Sequence, residues 1–141
     1  CYTVESLGDI DSAVAGWFMN AYNALIIEDD LQLGPLFSTI LEQLQVFSEI
    51  IPNGRAALAR LTDPNAAIPD LIVLDIQLPG VSGVDLLKQI RAMPHLQGVK
   101  VVVISATLFV ARDAELDADL MLAKPVSVDQ MLDLVGRLLP R

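Results

Sequence analysis

A set of short apolar runs, four of the five ending at a chemically active residue, constrains the fold more than any other feature of the chain. Leu71-Ile72-Val73-Leu74 is the clearest of them: it has no polar alternation and stops at Asp75. A strand that is apolar on both faces belongs inside a parallel sheet covered by helices on either side. Similar runs occur at Ala24–Ile27 and Leu120–Ala123, with one interrupted by Lys100 at Val99–Ile104 and one by Ser48-Glu49 at Val46–Ile50. Longer stretches with helical spacing separate them: Leu33, Leu36, Phe37, Ile40, Leu41 and Leu44 after the first, and Ala57, Leu58 and Leu61 after the second. Val84, Leu87 and Ile90 come after the third, and Met131, Leu134, Val135 and Leu138 after the last.

Local signals punctuate the same pattern. Asp30 and Ser127 are placed to cap helices, and Pro52-Asn53-Gly54 breaks the chain before another. A helix is expected from near Ser82 to about Met93, with Pro94 as its stop. After Ser105-Ala106-Thr107 the helical pattern is weak and short, from roughly Val110 to Leu116. Five strand–helix alternations predict an α/β, doubly wound parallel sheet. At 141 residues the chain fits one domain over residues 23–139. Residues 1–22, which contain Trp17 and Phe18, read as an N-terminal leader or extension, with Met19 a natural start for the domain behind it.

Charge and cysteine usage exclude several function classes. The formal net charge is −9, and no Lys or Arg precedes Arg55. That argues against direct nucleic-acid binding, which draws most of its affinity from basic groups on phosphates. Cys1 is the only cysteine, so neither a disulfide framework nor a thiolate metal site is available, and a reducing, cytoplasmic setting is the default. Ala13–Met19 is too short to span a bilayer and lacks the basic flank of a signal peptide, so no membrane insertion is expected.

In an open parallel sheet, ligands bind beyond the carboxyl ends of the strands. Glu28-Asp29, Asp75, Ser105 and Lys124 all fall at such ends, so groups far apart in sequence are predicted to share one crevice. Two carboxylates about 5 Å apart repel by roughly 3 kcal/mol at an effective dielectric near 20, so a cation must compensate them. Mg²⁺ suits such oxygen ligands, and Lys124 adds a second positive charge. A carboxylate nucleophile, a metal and a lysine are sufficient parts for phosphoryl transfer, with Asp75 the nucleophile and Ser105 within reach. Taken alone, an acidic pair after a strand is more often a solvated helix start. Four such coincidences at successive strand ends weigh against that bland reading. His95, the only histidine, comes after Pro94 in a loop-like stretch and reads as structural.

Leu25-Ile26-Ile27-Glu28-Asp29-Asp30, the run from Leu71 to Gly83, Val102-Val103-Ile104-Ser105-Ala106 and Leu122-Ala123-Lys124-Pro125 together resemble the receiver domains of two-component response regulators. The resemblance implies a flavodoxin-like (βα)5 fold with strand order 2-1-3-4-5, a shortened fourth helix and a cis Lys124–Pro125 peptide. It implies Mg²⁺ bound by Asp29, Asp75 and the backbone carbonyl of Gln77, with Glu28 assisting. Asp75 would accept phosphate from a sensor histidine kinase or phosphotransfer protein, Ser105 and Lys124 would engage the phosphoryl oxygens, and a downstream effector protein or output domain would read the change. Two departures from the family pattern bear on its usual output surface and homodimer: Met121 stands where an aromatic residue is usual, and the stretch between Ser105 and Lys124 is short.

The resulting expectation is a phospho-acceptor signalling switch and not an enzyme. The alternative is a degenerate receiver that works as a constitutive interaction module, motivated by Met121 and the shortened fourth unit. A phosphatase of the haloacid-dehalogenase type ranks last, because Gln77 stands where its Asp-x-Asp motif needs a general acid.

Overall fold

The computed structural model describes residues 21–106 and 117–140. Its elements are β1 (Tyr22–Ile27), α1 (Leu33–Glu42), β2 (Val46–Ile51), α2 (Gly54–Thr62), β3 (Leu71–Asp75), α3 (Gly83–Ala92), a 3-10 turn (Pro94–Leu96), β4 (Lys100–Ser105), β5 (Leu120–Ala123) and α4 (Val128–Leu138). All strand pairs are parallel, in the order β2-β1-β3-β4-β5. This is the expected doubly wound, flavodoxin-like sheet. The shortened helix expected between β4 and β5, and the extension before Ala21, lie outside the described residues.

Strand periodicity explains why two cores form from one sheet. Successive side chains point to opposite faces, so Leu25, Ile27, Ile72, Leu74, Val101 and Val103 pack against Ala57, Leu61, Leu86, Leu87 and Ile90 of α2 and α3. Ala24, Ile26, Leu71, Val73, Val102 and Ile104 face the other way, onto Phe37, Ile40 and Leu41 of α1 and Met131 and Val135 of α4. β3 is buried along its whole length.

The helix stripes differ from expectation at a few positions. Leu36 is 46% exposed, because the buried stripe of α1 runs through Gly34, Phe37, Ile40 and Leu41 and leaves Leu36 on its flank. In α3, Leu86 is fully buried while Val84 is only partly covered. Strand ends shift by up to two residues from the apolar runs: β1, β2 and β3 extend past theirs, and β4 starts and ends one residue later.

The loop from β3 to α3 is fixed by close approach. A Cβ on Gly83 would lie 2.4 Å from the Ile76 carbonyl oxygen and 2.5 Å from its Cα, so only glycine fits there. Gly80 adopts φ +81°, which glycine takes without steric cost.

Arg91, near the end of α3, fastens the far edge of the sheet. It donates to the Val99 carbonyl at 2.9 Å, the Asp117 carbonyl at 2.8 Å and Asp119 Oδ2 at 2.8 Å. Asp119 Oδ2 also accepts from the Val101 N–H. Among the described residues, no helix is long and apolar enough to cross a membrane.

Candidate functional site

The chain reverses direction across the sheet at β1: β2 lies on one side of it and β3 on the other. A crevice opens at such a switch point, at the carboxyl ends of the strands. Glu28 continues directly from β1, with its N–H donated to the Ile51 carbonyl at the end of β2. Asp75 closes β3, and Ser105 closes β4. Lys124 comes directly after β5, and its backbone N–H donates to the Ser105 carbonyl at 2.8 Å, so pairing carries the lysine to the same edge. The Lys124–Pro125 peptide is cis.

Glu28, Asp29 and Asp75 each offer a carboxylate oxygen, and these oxygens all lie within 4.8 Å of one another. Glu28 is 2% exposed and Asp75 3%, while Asp29 faces solvent. The Lys124 ammonium donates to Asp75 Oδ2 at 3.1 Å and stands 3.6 Å from Glu28 Oε2. Asp75 Oδ1 accepts from the Gln77 N–H at 2.9 Å. Ser105 is fully buried. The structure therefore brings Glu28, Asp29, Asp75 and Lys124 to one point, with Ser105 and Gln77 adjoining it along the chain.

The pKa shifts of two groups follow from the same crowding of charge. Burial pushes the Glu28 carboxyl up from an ordinary 4.5 to about 7; the hydrogen bond from the Asp30 N–H works against this, and the Asp75 charge adds to it more than Lys124 offsets. Burial pulls the Lys124 ammonium down, but its hydrogen bond and ion pair with Asp75 and its attraction to Glu28 outweigh that, and its pKa lies above the usual lysine value.

One ammonium thus faces three carboxylates. Glu28 Oε2 is buried with no hydrogen-bond partner. Its nearest positive charge, the Lys124 ammonium at 3.6 Å, is shared with Asp75, and a hard cation binding oxygens only would add to that weak compensation. The donor set accordingly fits a divalent ion of the Mg²⁺ kind, which needs one or two carboxylates and fills the rest of its shell with water and substrate oxygens.

His95 lies apart from this cluster, whereas Asp30 adjoins it. His95 Nε2 lies 2.7 Å from the Leu61 carbonyl, and the ring lines a cavity of about 460 Å³ with Pro69, Asp70 and Lys100, beside the starts of β3 and β4. It stands at the other end of the sheet, as its structural reading requires. Asp30 does cap, though from just upstream of α1: its Oδ1 accepts from the Gln32 and Leu33 N–H groups at 2.8 and 3.0 Å. Its N–H also donates to Glu28 Oε1, a link that spacing alone does not reveal.

Fold and site together define a doubly wound α/β protein with an acidic, lysine-flanked cluster at the carboxyl edge of its sheet. The profile of the response regulator receiver domain matches residues 24–136, and the chain belongs to that family. Among curated proteins it is similar to the sensory transduction protein RegX3 of Mycobacterium tuberculosis, 29% identical over 119 residues, which cover 84% of this chain and 51% of that protein. It is also similar to sporulation initiation phosphotransferase F of Bacillus subtilis, 29% identical over 82% of this chain and 92% of that one. The chain spans about half the length of RegX3.

Solved structures agree. The CheY-like receiver domain from Methylobacillus flagellatus superposes with a TM-score of 0.73 at 28% identity, covering 84% of this chain and 98% of that one. The signal receiver domain of a histidine kinase from Syntrophus aciditrophicus gives 0.74 at 30% identity, covering 84% and 90%. The chain is a signalling domain of the response-regulator type.

Proposed function

We propose that this receiver domain accepts a phosphoryl group on Asp75, in the cytoplasm, from the phosphohistidine of a sensor kinase or phosphotransfer protein. Mg²⁺ would be held by Asp29, Asp75 and the Gln77 backbone carbonyl, with Glu28 assisting. The observation that carries this reading is the buried Asp75 carboxylate, 3.1 Å from a lysine and beside two further carboxylates, a donor set that suits a divalent cation.

The chain's own groups supply positioning and charge, which are most of what phosphoryl transfer needs. The Gln77 N–H on Oδ1 and Lys124 on Oδ2 fix the plane of the Asp75 carboxylate. A carboxylate oxygen attacks phosphorus in line as the bond to the imidazole nitrogen breaks, and the leaving imidazole keeps the electron pair. When bound, the metal would supply positive charge against the carboxylates and the incoming phosphoryl oxygens. Lys124 then pairs with the aspartyl phosphate, and Ser105, at the end of the neighbouring strand, is the hydroxyl that contacts it. The new charge at this edge shifts the domain between two conformations that an effector protein or output domain distinguishes.

Incubation with acetyl phosphate and Mg²⁺, with intact mass spectrometry as the readout, tests the reading. One added phosphoryl group is expected, absent with EDTA and absent in Asp75→Asn. Unmodified wild-type protein under these conditions would instead favour a constitutive interaction module.

A further inference from the structure

Asp30 lies outside the set of residues proposed to touch metal or phosphate, yet its bonds converge on one of them. Its N–H donates to Glu28 Oε1 at 3.2 Å, and its Oδ1 accepts from the N–H groups of Gln32 at 2.8 Å and Leu33 at 3.0 Å. Its carbonyl takes the Gly34 N–H at 3.3 Å. These four contacts set the path of residues 28–34. The Glu28 carboxylate they reach is 2% exposed, and its other oxygen makes no hydrogen bond and has the Lys124 ammonium 3.6 Å away.

We propose that Asp30 is a positioning residue for the cation site, holding Glu28 so that its carboxylate stays within reach of Asp29 and Asp75, with Oε2 3.6 Å from the Lys124 ammonium. The physical argument concerns the turn that carries the donor. An Asx-type turn exists because a side-chain oxygen replaces water on two successive backbone N–H groups. With that oxygen removed, Leu31 and Gln32 are free to take other conformations, and the Asp30 N–H no longer meets Oε1 at a fixed angle. Glu28 would then hold its second oxygen over a wider range of positions, and a hard ion with strict geometry would bind less well. Asp30 acts here through its acceptor atom, which asparagine also possesses, and not through its charge.

This inference rests on the proposed metal-dependent phosphorylation, and the wild-type arm of its test examines that reading separately. The rate of phosphorylation by acetyl phosphate is measured against Mg²⁺ concentration for the wild type, Asp30→Asn and Asp30→Ala, with thermal unfolding in EDTA alongside. In Asp30→Ala, half-saturation by Mg²⁺ is expected to rise about fivefold, the equivalent of one net hydrogen bond, with the maximal rate retained. Asp30→Asn should stay within about twofold of the wild type. Equal weakening in both variants would overturn the inference in favour of a charge effect. An unchanged Mg²⁺ dependence in Asp30→Ala would overturn it in favour of a helix cap alone. A wild type that takes no phosphate contradicts the functional reading itself.

Discussion

Glu28 shows how one side chain couples folding to the charge of the site. The folded protein holds its carboxyl at about 7, against 4.5 as the ordinary value. Between those values the native state keeps a proton that the unfolded chain releases, so unfolding becomes easier as pH rises. The contribution is fully present below pH 4.5 and is lost as pH climbs through about 7. Its upper bound is on the order of 3 kcal/mol. In EDTA, urea midpoints measured from about pH 5 to pH 8 should fall more steeply for the wild type than for Glu28→Gln, which has no such proton to lose. Parallel slopes would show that Glu28 is not the group responsible. The spacing of Glu28, Asp75 and Lys124 at strand ends made their convergence legible in the sequence, because strand ends share an edge whenever a sheet is parallel. The link from the Asp30 N–H to Glu28 was not legible, since no pattern of residue types reports which way a backbone N–H points.

Among the elements, the β3–α3 connection and the Arg91 clamp carry the most testable consequences. Gly83→Ala puts a methyl group against the Ile76 backbone, which cannot retreat as a flexible side chain could. Overpacking of this kind costs about 1–3 kcal/mol, read as a lower midpoint in chemical denaturation. The damage should extend to phosphorylation, because the loop that moves also carries Gln77. Arg91→Ala removes bonds to Val99, Asp117 and Asp119 together and leaves their acceptors to water. We expect a loss of about 1.5–3 kcal/mol, in the range for hydrogen bonds to a charged group, with hydrogen exchange rising first at Val101 and Asp119. Sequence periodicity identified the helices but not the clamp. Arginine near a helix end is read as a dipole partner, and nothing local marks acceptors at Asp117 and Asp119 across the fold. Leu36 escapes a periodicity argument for a related reason. Its spacing satisfies the helical repeat, and only the width of the surface that α1 covers leaves it in solvent.

At the scale of the whole molecule, alternation of apolar runs with amphipathic stretches was enough to specify a parallel doubly wound sheet, because few topologies bury both faces of such strands. The family resemblance supplied the strand order, which the structure shows as β2-β1-β3-β4-β5. That order makes the site: it puts β1 and β3 side by side and brings Lys124 to them from the far edge. The central claim is that this edge gathers a cation and a phosphoryl group around Asp75. The most direct measurement is a crystal structure of the protein with Mg²⁺ and beryllofluoride, a tetrahedral stand-in for phosphoryl. The account predicts one ion about 2.0–2.1 Å from oxygens of Asp29, Asp75 and the Gln77 carbonyl, with beryllofluoride joined to Asp75 and contacted by Lys124 and Ser105. Beryllofluoride bound elsewhere, or an ion that leaves Asp29 and Asp75 uncoordinated, would contradict it.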